Sequence, residues 1–231
     1  MGLKDVMKSN QKFICDKRLK LRIRKHLDNF QARPQVNKGV QQAAVALTIV
    51  DVAHGSDAYE LPFYDTRRSD AALILTRRNM NLRNHSGQWA LPGGRRDTGE
   101  TAAETALREL SEEVGLHLSA DRVIGCLDDF TTRSGFVITP VVVWGGDRIE
   151  LTPNPAEVAS IHRIPLAEFL RADAPLIQEI PESSAPVILM PVGNTCIAAP
   201  TAALLYQFRE VAILGKETRV AHYEQPVFAW K

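Results

Sequence analysis

Three glutamates lie close together in the segment 94–116, which reads GRRDTGETAAETALRELSEEVGL. Glu109 precedes Glu112 and Glu113 by three and four residues. On a helix this spacing places like charges side by side, at a cost of about 0.2–0.5 kcal/mol per pair. Arg108 adds one opposite charge beside them. The segment is therefore either an ordinary solvated acidic face or a surface on which a cation binds.

The same segment carries the start and stop signals of a helix. Thr101 and Glu104 have the spacing of a capping box, which predicts a helix beginning near residue 102, and Gly115 is a natural left-handed stop. The apolar side chains of this helix gather in a core-facing stripe roughly 100° wide. They are Ala103, Ala106, Leu107, Leu110 and Val114. The glutamates fall along the border of this stripe, with Glu113 nearest to it. Partial burial there raises carboxyl pKa values unless a cation offsets the repulsion.

Clustered carboxylate oxygens are the ligands that hard divalent cations prefer, and Mg²⁺ combines a few of them with waters and substrate phosphates. The Gly93-Gly94 turn before the helix allows the backbone to approach closely and to offer a carbonyl or an amide. A solvated acidic helix is the ordinary interpretation of a lone E-x-x-E-E pattern. The glycine turn, the cap and Arg108 together disfavour it here.

Residues 94–116 match every fixed position of the Nudix box, and the chain therefore resembles the Nudix hydrolase family. The matching residues are Gly94, Glu100 and the run 108–116, RELSEEVGL. The resemblance implies an α/β protein with the Nudix fold, an α/β/α sandwich with a mixed β-sheet. It also implies hydrolysis of a diphosphate linked to another moiety, with Mg²⁺ or Mn²⁺ as the cofactor.

The resemblance implies a role for each matched residue. Glu109, Glu112 and Glu113 would bind metal, and the Gly93 carbonyl would be a further ligand. Glu109, Arg108 and Glu112 would form the catalytic group, in which Glu109 orients or deprotonates the attacking water. Arg108 would hold Glu109, and Glu100 would pair with Arg108. Metal ions neutralise diphosphate oxygens and lower the pKa of bound water, and much of the remaining catalysis is positioning and charge stabilisation.

The residues before the box narrow the choice of substrate. The segments 75–78 (LTRR), 82–88 (LRNHSGQ) and 92–94 (PGG) resemble the signature of the coenzyme A pyrophosphatase branch. Further matches lie at 127–129, 134–136, 139–141, 154–158 and 165–166, so the resemblance covers roughly residues 40–170. The predicted substrate-binding residues are Arg78, Arg83, His85 and Gln88. The two arginines and the histidine could donate to the 3′-phosphate of coenzyme A, although Arg83 and His85 could instead order the loop.

The sequence departs from this branch at a few places. Asn79 stands where the branch prefers Ser or Ala. Trp89-Ala90-Leu91 replaces the usual Val-x-Phe, and Glu100 stands where the branch often has Asp. The insert 54–71 has no counterpart. These departures bear on the substrate and not on the reaction. Glu157 has two interpretations, as a strand-edge residue or as a supporting residue in metal binding or catalysis.

Three functions follow from these residues. The first is Mg²⁺-dependent hydrolysis of coenzyme A or its thioesters, giving 3′,5′-ADP and (acyl-)phosphopantetheine. The second is hydrolysis of ADP-ribose or another nucleoside diphosphate derivative. The third is a Nudix-fold binding or regulatory module without catalysis, against which the intact set of Arg108 and the three glutamates argues.

The rest of the chain alternates predicted strands and helices in mixed order, as in a layered α/β domain. Strands are predicted at 43–52, 72–78, 122–130 and 136–146, and a short strand leads into a helix at 166–170. A helix is predicted over 200–214 with Pro200 at its first position, and the tail is predicted to be an edge strand or an interface. The predicted organisation is a basic helical extension at 1–38 and a Nudix domain at 39–231.

Charge is distributed unevenly along the 231 residues. Residues 1–40 carry eleven Lys/Arg and three Asp, a net charge of +8, and the remainder carries 17 basic and 24 acidic side chains, a net charge of −7. A basic arm can bind nucleic acid. Apolar residues interleave with its charges, however, which favours a helix packed on its own acidic domain and no nucleic-acid partner. They are Phe13, Ile14, Leu19, Leu21, Ile23, Leu27 and Phe30.

No run approaches 18 uninterrupted apolar residues, and the N-terminus lacks the apolar centre of a signal peptide. Cys15, Cys126 and Cys196 form neither a metal-spaced pair nor an even disulfide set. These features predict a reduced, cytoplasmic protein that acts on a small molecule, without a membrane partner. They leave a homodimer open.

Overall fold

The computed structural model describes residues 13–35, 39–52, 69–82 and 86–227. The α-helices are α1 (Lys17–Asn29), α2 (Ala102–Val114) and α3 (Thr201–Gln207). The strands are β1 (Gln41–Asp51), β2 (Ala71–Arg78), β3 (Trp89–Ala90), β4 (Gly93–Arg95), β5 (Val123–Cys126), β6 (Phe130–Thr131), β7 (Phe136–Gly146), β8 (Val158–Pro165), β9 (Leu176–Ile180), β10 (Ser183–Val192) and β11 (Thr195–Ala198). Short 3₁₀ turns lie at Ala120–Arg122 and Leu166–Leu170. In this part of the chain, no helix is long and apolar enough to cross a membrane.

The larger sheet is mixed, as predicted. Its strand order is β3-β2-β1-β7-β5, with β4 also on β1, β6 on β7 and β8 on β2. β1 and β7 run parallel, and the other pairs are antiparallel. β1 and β7 are buried along most of their length, because central strands covered on both faces need apolar side chains on both.

Helices cover both faces of this sheet, which gives the predicted α/β/α layering. On one face α2 packs through Ala106, Leu110 and Val114 against alternate residues of β1. Ala44 and Ala46 supply those contacts from β1 and are small enough to let the helix lie close. On the other face Leu47 and Ile49 join a larger cluster that includes residues of α1 and α3.

The basic arm packs on the domain through one face of α1. Asp16 caps the helix by accepting from the amide of Leu19 at 2.9 Å, and Leu19, Ile23 and Leu27 are buried. Leu27 reaches β5 so closely that a Cβ on Gly125 would lie 2.9 Å from its own Cβ. The amphipathic reading of the arm is therefore right for residues 13–35.

Two of the apolar residues of the arm are an exception. Ile14 and Leu21 are 52% and 67% exposed and do not join the core. Leu21 is out of phase with the buried i, i+4 stripe of α1 and lies among the lysines and arginines of its outer face. The boundary at residues 38 and 39 and the absence of a nucleic-acid partner stay predictions.

Several elements differ from those that the sequence predicts. The strand expected at 122–130 is divided between β5 and β6. The helix expected at 200–214 begins at Thr201, one residue after Pro200, and passes from α3 into a π-helical segment at Phe208–Ile213. β9, β10 and β11 form a second, antiparallel sheet that was not predicted. Most of the insert 54–71 lies outside the described residues.

Replacing Ile23 by Ala tests the packing of the arm. Ile23 is fully buried, so we expect Ile23→Ala to lower the free energy of unfolding by about 2–5 kcal/mol. Leu21→Ala, on the exposed face of the same helix, is the matched control and should change it by no more than about 0.5 kcal/mol. Urea unfolding measures both. Equal unfolding midpoints for the two variants would contradict the packing.

Candidate active site

The capping box sets where α2 begins and which side chains it turns inward. The Thr101 hydroxyl accepts from the amide of Glu104 at 3.2 Å, and the Glu104 carboxylate accepts from the amide of Thr101 at 2.7 Å. At the other end Gly115 adopts the left-handed conformation, with φ of 67°. Both helix signals are confirmed, and the phase they fix brings Glu109 and Glu113 to the buried side.

Glu109 and Glu113 are only 8% and 4% exposed, whereas the Glu112 side chain is 52% exposed. Burial and the neighbouring charge of Glu109 raise the pKa of Glu113 to about 8. Burial also raises the pKa of Glu109, against the opposing effect of Arg108. A solvated acidic face would leave all three carboxylates in water, so that interpretation does not describe this helix.

Arg108 connects the carboxylates of this site. Its Nε lies 2.8 Å from Glu100 Oε1, and its Nη1 lies 2.9 Å from both Glu109 Oε1 and Glu112 Oε2. Its Nη2 donates to the carbonyl of Arg95 at 3.0 Å. The hydrogen bond from Arg108, helped by one from Thr105, lowers the pKa of Glu100 to about 2. The arginine is thereby fixed, and it orients Glu109 and Glu112.

The two glycines of β4 leave room for different neighbours. A Cβ on Gly94 would lie 2.2 Å from Glu109 Oε1, and a Cβ on Gly93 would lie 2.4 Å from the carbonyl oxygen of Ala44. Gly94 therefore makes space for the Glu109 carboxylate, and Gly93 makes space for β1. The backbone of Gly93 also forms a hydrogen bond with Glu113. Metal binding by the Gly93 carbonyl stays a prediction.

The predicted substrate-binding residues divide into two groups. Arg78 ends β2 near Glu113, where its charge partly offsets the rise in the Glu113 pKa, and its buried Nε has no hydrogen-bond partner within the described chain. The amide of Arg78 donates to the carbonyl of Gln88 at 3.0 Å, so these two residues are adjacent. Arg83 and His85 lie outside the described residues.

Glu157 lies in a loop next to the C-terminal half of α2. The amide of Asn154 donates to the carbonyl of Glu113 at 2.9 Å, and the negative charge of Glu157 acts on both Glu109 and Glu113. The structure thus places Glu157 beside the two buried carboxylates, although its side chain is exposed.

Sequence reasoning missed a stack on the opposite face of β2. The guanidinium carbon of Arg77 lies 4.0 Å from the centre of the Trp89 ring, and Arg77 Nη1 donates to the carbonyl of Gly87 at 3.0 Å. Trp89 Nε1 donates to Thr195 Oγ1 of the second sheet at 3.0 Å. The stack fixes the chain on either side of Gln88. The one sign of this stack in the sequence was Trp89 itself, which departs from the signature of the coenzyme A pyrophosphatase branch.

The donor set of the site suits a divalent cation. Two buried carboxylates with raised pKa values repel one another, and hard cations bind such oxygens. As they stand, no three His, Cys, Asp or Glu side chains in the described ranges converge on a metal position. Glu109 and Glu112 each direct one oxygen to Arg108. The chemistry of the residues therefore fits a metal, and the arrangement seen is one in which Arg108 balances the carboxylates.

Comparison with known proteins defines the class of this chain. Residues 61–183 match the model of the NUDIX domain, which is more than half of the chain. The chain belongs to the Nudix family.

Individual relatives and one solved structure are similar to it. It is 46% identical over 105 residues to the uncharacterized Nudix hydrolase NudL of Yersinia enterocolitica, over 45% of this chain and 54% of that protein. It is 37% identical over 149 residues to NudL of Escherichia coli K12, over 62% of this chain and 69% of that protein. The match thus spans about half the length of the first relative. A MutT/nudix family protein from Enterococcus faecalis has a TM-score of 0.49 at 15% identity, over 79% of this chain and 66% of that one.

The raised pKa of Glu113 predicts how metal-free stability depends on pH. Its pKa rises from 4.5 to about 8 on folding, so between these values the folded state keeps a proton that the unfolded state has released. The stability of the protein should fall as pH rises from about 4.5 to about 8. In this range the unfolded state binds fewer protons than the folded state, so a higher pH favours unfolding. In Glu113→Gln this contribution is absent, and the variant should gain stability relative to the wild type over that range.

Urea unfolding in EDTA between pH 5 and pH 8.5 measures this difference. Wild-type and Glu113→Gln curves that stay parallel across the range would show that Glu113 does not titrate there.

The two glycines of β4 make a matched pair of variants. In Gly94→Ala the new methyl group displaces only the end of the Glu109 side chain, so we expect a folded protein whose kcat falls by about 10- to 100-fold through misplacement. In Gly93→Ala the methyl group meets the backbone of β1, and we expect a clear loss of thermal stability. Melting curves and initial rates separate the two effects. Wild-type activity in Gly94→Ala would mean that its contact with Glu109 is unimportant.

Proposed function

We propose that this chain is a divalent-metal-dependent diphosphatase that hydrolyses coenzyme A or its thioesters to 3′,5′-ADP and (acyl-)phosphopantetheine. The observation that carries the proposal is the pair of buried carboxylates, Glu109 and Glu113, next to an arginine that is fixed by Glu100. Membership of the Nudix family and the names of the curated relatives support hydrolysis. The coenzyme A signature in the sequence supports the substrate.

Each residue of the site has a part in this reaction. Glu109, Glu112 and Glu113 would hold the cation, Mg²⁺ or Mn²⁺, which when bound neutralises the diphosphate and acidifies water. Arg108 orients Glu109, which is then placed to take the proton of the attacking water. The water oxygen bonds to one phosphorus as the bridging P–O bond breaks. Arg78 adds a positive charge beside Glu113.

Coenzyme A carries a 3′-phosphate besides its diphosphate, and we assign recognition of this group to the segment 82–88 before the Nudix box. Arg83 and His85 are the cationic residues of that segment, and Gln88 follows them. Arg78 has a different place. Its charge lies near Glu113, so it belongs with the reacting diphosphate and should affect substrates with and without a 3′-phosphate alike.

The test compares coenzyme A, 3′-dephospho-coenzyme A and ADP-ribose with Mg²⁺, and identifies products by mass spectrometry. A charge-assisted contact to the 3′-phosphate should favour coenzyme A over the dephospho form by about 10- to 150-fold in kcat/KM. Arg83→Ala should erode this preference while leaving hydrolysis of the dephospho form comparatively intact. Arg78→Ala should lower hydrolysis of both.

Two further variants serve as controls for this test. Glu109→Gln should lose at least about 100-fold in kcat on every substrate, which ties the hydrolysis to this site. Arg18→Ala, on the exposed face of α1, should behave as the wild type. Equal rates for coenzyme A and its dephospho form, or faster hydrolysis of ADP-ribose, would overturn the coenzyme A assignment. An inactive wild type on all substrates would favour a binding module.

A further inference from the structure

The loop at residues 154–157 is tied to α2 at one end. Besides the bond from the amide of Asn154 to the carbonyl of Glu113, the Asn154 carbonyl accepts from the amides of Glu157 and Val158 at 3.0 and 2.8 Å. The Asn154 side chain accepts from the amide of Ala156 at 3.1 Å. These bonds shape the loop from within, but they leave its outer part, Pro155 to Glu157, to be held from elsewhere.

Asn79 supplies that second attachment. It follows β2, one residue after Arg78, and its side-chain amide donates to the carbonyl of Pro155. Its backbone amide donates to the carbonyl of Glu157 at 2.8 Å. Its side-chain oxygen accepts from the amide of Asn81 at 2.9 Å, which fixes the rotamer of Asn79 against its own turn. Asn79 thus joins the end of β2 to the loop at two points, at Pro155 through its half-buried side chain and at Glu157 through its backbone amide.

We propose that Asn79 is a positioning residue of the reaction, which holds the loop at 154–157 so that Glu157 faces Glu109 and Glu113. The inference rests on the proposed function, because Glu157 has a reason to be there only if the carboxylates are catalytic. Glu157 carries a third negative charge toward two buried ones. The bonds from Asn79 end on the carbonyls of Pro155 and Glu157, so they fix the backbone from which the Glu157 side chain extends.

The chemistry of residue 79 supports this role for this particular chain. Ser or Ala, which the coenzyme A pyrophosphatase branch prefers at this position, has no amide donor with which to reach Pro155. The side chain of Asn79 does not itself contact the three glutamates of α2 through any described hydrogen bond. Its described contact with the loop that carries Glu157 is the bond to the carbonyl of Pro155.

The first experiment needs no activity. Hydrogen–deuterium exchange of the full metal-free chain should show faster exchange at 156–158 in Asn79→Ala than in the wild type. Asn79→Asp keeps the acceptor for Asn81 but has no donor for Pro155, and it should resemble Asn79→Ala. Asn81→Ala keeps its backbone amide, and with it all three described bonds of Asn79, and should resemble the wild type. Unchanged exchange in Asn79→Ala would overturn the proposal.

The second experiment is a double-mutant cycle on hydrolysis. Asn79→Ala should lower kcat by about 5- to 10-fold, the size of one hydrogen bond, with KM within about twofold. Added to Glu157→Gln, which should itself lower kcat, the same change should have an effect below about twofold. A purely structural role would lower activity equally in both backgrounds and would overturn the proposal, as would full activity in Glu157→Gln.

The outcomes distinguish this inference from the function on which it rests. A wild type that hydrolyses no diphosphate overturns both. An active wild type with independent effects of Asn79 and Glu157 overturns only the positioning role.

Discussion

The active site depends on two carboxylates being held out of water beside each other. Removing an ionised carboxylate from water is costly unless a counter-charge or a proton accompanies it. Glu109 has Arg108 at 2.9 Å, whereas Glu113 has the more distant charge of Arg78 and a backbone bond from Gly93. The compensation is therefore unequal, and the pKa of Glu113 is raised to about 8. A buried carboxylate left without a full partner is typical of a site that works with a cation or a proton.

The fold around this pair supplies what the burial requires. The capping box fixes the phase of α2, since a shift of one residue would turn Glu113 by about 100° away from the sheet. Ala44 and Ala46 let the helix lie close to β1, and Gly94 leaves the volume that the Glu109 carboxylate occupies. A larger side chain at Ala44 or Ala46 would push α2 away from β1, and one at Gly94 would displace the end of the Glu109 side chain. Close packing of α2 on the sheet thus keeps Glu109 and Glu113 in place despite the free-energy cost of burying them.

What could be predicted from the sequence is what local signals determine. The bounds of α2 follow from Thr101, Glu104 and Gly115, which act within one turn of the helix. The burial of Glu113 follows from its place at the edge of the apolar stripe. The face of β2 on which Arg78 lies follows from the alternation of the strand. Its neighbour Glu113 belongs to another element, however. The sequence therefore predicted that Arg78 binds substrate but not that it lies near Glu113.

The second sheet had weak and conflicting local signals, since 187–190 form a short apolar run and Gly193-Asn194 is a two-residue hairpin turn before β11. β9 is largely exposed and shows no alternation, and β10 contains Pro186 and Pro191, which argue against a strand when read locally. Its place is fixed by long-range contacts such as the bond between Trp89 and Thr195. The π-helical segment after α3 likewise has no local pattern that distinguishes it from a continued α-helix, so a single helix was predicted there.

The coenzyme A signature contains residues with a different task from those at the site. Asp128, from the matching segment 127–129, is 4% exposed and accepts from the amide of Arg33 and from Arg219 Nη1, at 2.8 and 2.6 Å. Its second oxygen accepts from Gln207 at 2.8 Å. One carboxylate therefore joins the segment after α1, the end of α3 and the residues beyond it to the sheet. This motif residue therefore attaches the segments after α1 and after α3 to the domain. The residues at 127–129 thus hold the architecture together, whereas the residues proposed to recognise the substrate lie at 82–88, before the Nudix box.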